Sequence, residues 1–113
     1  MDSTLQWETF EEVIMEVGVI IEVHDFPEAR KPAFILHVNF GNERGILKTS
    51  AQITKRYSKA NLIGKRIVGV VNFPPKQIGP MISEFLLLGA LDAVGGTALL
   101  EVESDVPLGS RIA

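Results

Sequence analysis

Two stretches of the chain alternate apolar and other residues with a period of two, which favours strands over helices in both. Between Val17 and Val23 the odd positions are Val17, Val19, Ile21 and Val23, and these are expected to form one apolar face. In the second stretch Phe34, Leu36, Val38 and Phe40 alternate with Ala33, Ile35, His37 and Asn39. Gly41-Asn42-Glu43-Arg44-Gly45 then supplies a turn, so a third strand around 46–48 should pair back as a hairpin. Further β-branched or apolar runs at 65–73, 83–88 and 97–102 raise the expectation to five or six strands, with Gly95-Gly96 turning the chain before the last.

Helical signals are few. Leu5, Trp7 and Phe10 oppose an acid-rich side in a short amphipathic segment from Thr4 to Glu12. Ser50 is the expected N-cap of a helix from Ala51 to about Tyr57, its hydroxyl accepting from unpaired backbone amides. A helix between the third and fourth strands is the arrangement of the OB-fold, a partly open five-stranded Greek-key barrel with a ligand-binding face. The expectation is therefore an all-β single domain over 1–113, with a helical N-terminal extension at 1–12 and a C-terminal extension at 103–113.

At 113 residues and 46% hydrophobic, the chain has room for one core, and so small a domain gains from covering leftover apolar area by self-association. Trp7 and Phe10, together with Val106, Leu108 and Ile112, are the candidates for a two-fold dimer interface. The sequence contains no cysteine, which excludes disulfides and thiolate chemistry and fits a reducing cytoplasm. No secretory signal and no apolar run long enough to span a membrane are expected.

The net charge of -3 hides a strong segregation. Residues 1–28 hold eight acids and no Lys or Arg, whereas Arg30 to Lys76 hold ten bases against the single acid Glu43. Such a middle segment either gathers into a basic face suited to phosphate backbones or scatters over the folded surface.

Catalysis and cofactors are not expected. His24 and His37 lie thirteen apart without metal-ligand spacing, and Ser50 and Ser83 lack the surroundings of an activated nucleophile. The carboxylate pairs Glu11-Glu12 and Glu101/Glu103 read as solvated acidic faces. Gly95-Gly96 fits no phosphate-cradling pattern.

Three segments are more specific. Phe26-Pro27-Glu28-Ala29-Arg30-Lys31-Pro32 is a loop stiffened by two prolines that presents Arg30 beside Lys31. Ser50 to Tyr57 places Lys55 and Arg56 next to the chain's one Tyr, where they would serve either a phosphate or a helix C-terminus. Asn72-Phe73-Pro74-Pro75-Lys76-Gln77-Ile78, followed by Ser83-Glu84, is a proline-pinned loop of the kind that carries binding residues.

In this order the three segments resemble the CsaA family of export-related chaperones and, more widely, the tRNA-binding domain at the ends of methionyl- and some other aminoacyl-tRNA synthetases, over about Phe10 to Gly109. The resemblance implies a non-catalytic OB-fold homodimer. It implies unfolded or exported polypeptides as partners and, as the alternative, tRNA recognised by shape and backbone. By match, Asn72, Lys76 and Ser83 are the tRNA-contacting candidates, and Lys55 and Arg56, with Arg30 and Lys31, join them on electrostatic grounds. The chain departs from the tRNA-binding pattern at Met81-Ile82, where such relatives carry a basic residue and glycine, and at Phe85-Leu86 in place of Gly-Met. That lost charge weakens the tRNA expectation and leaves the polypeptide one intact. Phe73, Met81, Ile82 and Phe85 are the apolar candidates for a polypeptide surface, with the barrel core or a dimer seam as their other destination.

Overall fold

The computed structural model describes residues 3–113; Met1 and Asp2, which open the expected N-terminal extension, lie outside the described residues. Strands β1 (Met15–Asp25), β2 (Phe34–Asn39), β3 (Ile46–Ala51), β4 (Arg66–Val70) and β7 (Leu86–Leu87) form one antiparallel sheet in the order β3-β2-β1-β4-β7. Three consecutive strands with a fourth returning beside the first is a Greek key. The sheet curls into a nearly closed barrel of the OB type. Two hairpins stand apart from it: β5 (Lys76–Ile78) with β6 (Met81–Ser83), and β8 (Gly89–Ala90) with β9 (Ala98–Leu99).

The alternation of the second strand holds. Phe34, Leu36, Val38 and Phe40 are buried, and they contribute to the main core with Ile20, Leu62, Ile67 and Phe85. The ring of Phe40 meets Phe85 edge-on at 5.0 Å between centroids. Glycine is required beneath it: a Cβ on Gly69 would lie 2.8 Å from the Phe85 ring and 2.9 Å from Phe40.

The first strand departs from its expected single apolar face. Its register against β2 shifts between Ile20 and Glu22, so Ile21 is an extra residue and the facing reverses there. Ile20 therefore points inward before the bulge and Val23 packs on the core after it. Val17 is buried elsewhere on β1, where the C-terminal stretch runs alongside and exchanges hydrogen bonds through Gly109 N–H to Val17 O and Val17 N–H to Ser110 O.

The helix expected at 51–57 is not formed. β3 continues to Ala51, Ile53 is drawn into the core, and the helix α2 (Lys59–Leu62) starts eight residues later. Its cap is Ser58: the hydroxyl accepts from the Asn61 N–H while the Asn61 side chain accepts from the Ser58 N–H. The N-terminal helix α1 (Trp7–Glu11) is shorter than expected and buries none of its residues.

Candidate binding groove

The outer face of β1–β3 is partly covered by the connection from β4 to β7. The β5–β6 hairpin within it is anchored by a satellite core in which Met81, Phe26 and Ala33 are buried and Ala29, Ile35 and Ile78 pack around them. The loop 26–33 is held at both ends by the same cluster. Two open depressions result, with Ser50 and Ile78 lining both, and side by side they make up the candidate groove. The first, roughly 570 Å³, is walled by Phe73, Pro74, Pro75, Lys76, Ser83 and Leu86; the second, roughly 500 Å³, by Glu28, Arg30, Lys31 and Gln52 among others.

Hydrogen bonds at the barrel's seam place this connection. Thr49 is buried, and its Oγ1 lies 2.7 Å from Ser83 Oγ and donates to the Phe85 carbonyl at 2.9 Å. Glu84 behaves as a substitute strand neighbour: its N–H donates to Lys48 O and its carboxylate accepts from Lys48 N–H at 3.0 Å. Edge groups of β3 that a longer closing strand would satisfy are thus paired.

The residues expected to bind fall into separate places. Phe73 is 56% exposed and stands at the groove; Ile82 is exposed on β6. Met81 and Phe85, at 6% and 4%, are core residues, since one pins the hairpin and the other fills the barrel beneath Phe40, although Phe85 also borders the groove from below. Asn72 is likewise occupied: it donates to Glu12 O at 2.7 Å and accepts from Ile14 N–H at 3.0 Å, tying down the segment before β1. Ser83 lines the groove with its hydroxyl engaged by Thr49.

Arg30, Lys31 and Lys76 line the groove. Lys55 and Arg56 do not. Arg56 holds the turn between β8 and β9, donating to Gly96 O at 3.1 Å and to Asp92 Oδ2 at 2.8 Å, and the Lys55 side chain lies against Gly96. The N–H groups of Gly95 and Val94, with Arg56, hold the Asp92 carboxyl below its ordinary value near 3.8.

The basic segment is also sorted by pairing. Arg44 bonds Glu16 through two nitrogens, Lys59 pairs with Asp25, Lys65 with Glu101, and Arg66 donates to Val106 O. Arg30, Lys31, Lys48, Lys55 and Lys76 have no ion-pair partner among the described residues.

The outer face holds further side chains that sequence reasoning did not join. Glu22 is opposite His37, which is opposite Lys48, so the three form one cross-strand row beside the groove. His24 Nε2 lies 3.2 Å from Glu22 Oε1, and its ring meets that of His37 at 5.5 Å. Strand parity from Ser50, which faces out, would have placed Lys48 on this face. Among the described residues no His, Cys, Asp and Glu side chains are grouped to hold a metal.

Of the interface candidates, Trp7 is 78% exposed and shares a shallow depression with Leu5, Gln6, Phe10 and Ala113. Val106, Leu108 and Ile112 are half-buried, and Leu108 lines a different depression, with Glu16 and Arg44.

A Greek-key barrel with a grooved outer face flanked by the loops between β1 and β2 and between β4 and β7 defines a protein of the OB-fold class. Residues 15–111 match the family described as "Putative tRNA binding domain", and the chain belongs to that family. Within it the fold is that of CsaA: the CsaA chaperone protein of Picrophilus torridus is 45% identical, with a TM-score of 0.91 over 97% of this chain and 100% of that one. The chaperone CsaA of Bacillus anthracis is 40% identical, with a TM-score of 0.91 over 98% and 100%. The methionine–tRNA ligase of Thermococcus onnurineus is 34% identical over 108 residues, covering 96% of this chain and 14% of that protein. The chain thus corresponds to about one seventh of that ligase's length.

Proposed function

We propose that the chain is a non-catalytic binding protein that receives extended, apolar-bearing stretches of unfolded polypeptide in the groove beside β3. The wall chemistry carries this reading. Phe73, Pro74, Pro75, Ile78 and Leu86 present a stiff apolar surface to solvent, which a phosphate backbone would not call for. Likeness to the CsaA chaperones over their whole length supports it. The groove hydroxyls of Thr49 and Ser83 bond each other and the Phe85 carbonyl, an arrangement for holding the seam and not for activating a nucleophile. Calorimetric titration with unfolded, apolar-rich peptides is the test, and Phe73→Ala should weaken binding about 5- to 30-fold, as truncation of a central aromatic anchor does. No binding heat together with no suppression of aggregation would remove the reading.

A second reading, tRNA held by backbone contacts on the same face, is favoured by the cations of the groove that lack ion-pair partners. Affinity should then fall steeply with salt, and combined loss of Arg30, Lys31 and Lys76 should weaken different tRNAs alike. Binding indifferent to ionic strength would exclude it.

The same proposal includes a homodimer formed around Trp7, Leu5 and Phe10, an apolar surface at the N-terminus that meets its own copy. Sedimentation at micromolar concentration should give a dimer that Trp7→Ala weakens; a monomer at that concentration would overturn this. Among the described residues no helix is long and apolar enough to cross a membrane, and a reducing cytoplasm is the compartment the cysteine-free sequence suits.

A further inference from the structure

The groove carries charge that its apolar walls do not require. Lys76 stands among the Phe73–Pro75 walls, and Arg30 and Lys31 line the adjoining depression beyond Ser50 and Ile78. All three are exposed, and none has an ion-pair partner among the described residues. Four bases of the same segment, Arg44, Arg56, Lys59 and Lys65, do have one. Among the described residues the one acid lining either depression is Glu28.

We propose that the groove selects polypeptide segments in which apolar side chains are flanked by Asp or Glu, the apolar part seated against Phe73, Pro74 and Pro75 and the carboxylates meeting Lys76, Arg30 and Lys31. This rests on the polypeptide reading above and adds the chemical class of the segment. Arg30 and Lys31 sit on a loop pinned at both ends, and Lys76 opens the strand β5. Pro27 and Pro32 bracket Arg30 and Lys31, Phe26 and Ala33 are buried at the two ends of that loop, and Pro74-Pro75 precede Lys76. Less ordering entropy is then lost when a carboxylate arrives. Arg30 can also offer a forked, charge-assisted contact to a carboxylate.

The whole chain bears a net charge of -3, so its average field opposes an acidic peptide. A preference for acidic flanks can therefore arise only from the local cations, and that makes it a specific signature of this groove. Each exposed pair changes affinity by roughly 1.5- to 5-fold, so three together give on the order of tenfold at low salt.

The test uses three unstructured peptides with one shared apolar centre, flanked by Asp, Asn or Lys, titrated into the full chain at low salt and at about 1 M salt, where screening is nearly complete. The expected order of affinity is Asp, then Asn, then Lys, with about tenfold between first and last at low salt and near equality at high salt. In the exposed-site variant carrying Arg30→Gln, Lys31→Gln and Lys76→Gln, the roughly tenfold ratio between the Asp and Lys peptides should collapse to near one at low salt. Equal binding of the three peptides to the parent chain overturns the inference while leaving polypeptide binding standing. So does an order that persists in the triple variant, including the case where that variant has lost tRNA instead, which assigns the cations to a polynucleotide. Failure of the Asn peptide to bind at all removes the polypeptide reading and the selectivity with it.

Discussion

Replacing Phe85 with alanine should destabilise the domain by about 3–5 kcal/mol, the range for truncating a buried phenylalanine in a core that cannot collapse around the gap. The site gives little room for collapse. Phe85 is 4% exposed, its ring packs edge-on against Phe40, and its carbonyl accepts from Thr49 at the barrel's seam. Against the total stability of about 5–15 kcal/mol common for such domains, the loss would move the urea midpoint far down or leave part of the population unfolded at room temperature. Ile82→Ala, three residues earlier on an exposed position of β6, should stay within about 0.5 kcal/mol of the parent. Equal midpoints for the two variants would return Phe85 to the surface and undo the division between core and groove.

That pair shows where sequence reasoning stops. Phe73, Met81, Ile82 and Phe85 are all apolar and close in sequence, and nothing local distinguishes those that anchor the connection from those it exposes. The division is made by the barrel, which swallows Phe85, and by the satellite core over Ile35, which takes Met81. Regular strands fare better: β2 has one face inward throughout, so its period of two reads directly as burial. β1 alternates in the same way but has a bulge at Ile21, and one extra residue reverses the facing of everything after it. The misplaced helix has a similar cause. Ser50 is the expected cap, but Ser58 takes that role because Asn61 completes a reciprocal pair with it while Ile53 is needed in the core. Cations are sorted by partners far along the chain, Arg56 by Asp92 and Arg44 by Glu16, and such distances leave no trace in local pattern. The loops bearing Arg30, Lys31 and Lys76 were legible because proline stiffness is a property of the sequence itself.

Asn72 offers the second large effect, because a motif match and the geometry assign it different work. As a contact for tRNA its amide would be free to meet the ligand, and Asn72→Ala would lower affinity while leaving the N-terminus ordered. The geometry instead spends the amide on the chain: it donates to Glu12 O at 2.7 Å and accepts from Ile14 N–H at 3.0 Å, sixty and fifty-eight residues away in sequence. These bonds join the end of β4 to the segment that leads from α1 into β1, next to the backbone bond from Val71 N–H to Ile14 O. Both bonds lie at the exposed surface, where water can take over from the lost amide, so Asn72→Ala should cost about 0.5–1.5 kcal/mol per bond at most, with faster hydrogen exchange at Ile14 and earlier proteolysis between 5 and 14 as the direct readouts. Asn72→Asp separates the two bonds, since a carboxylate still accepts from Ile14 N–H but cannot donate to Glu12 O, and an intermediate loss is expected. Because the dimer surface proposed around Trp7 and Phe10 hangs from this same segment, the alanine variant should also weaken self-association without touching that surface. Unchanged exchange and proteolysis in Asn72→Ala, with ligand affinity reduced, would reverse the assignment and place Asn72 back among the contact residues.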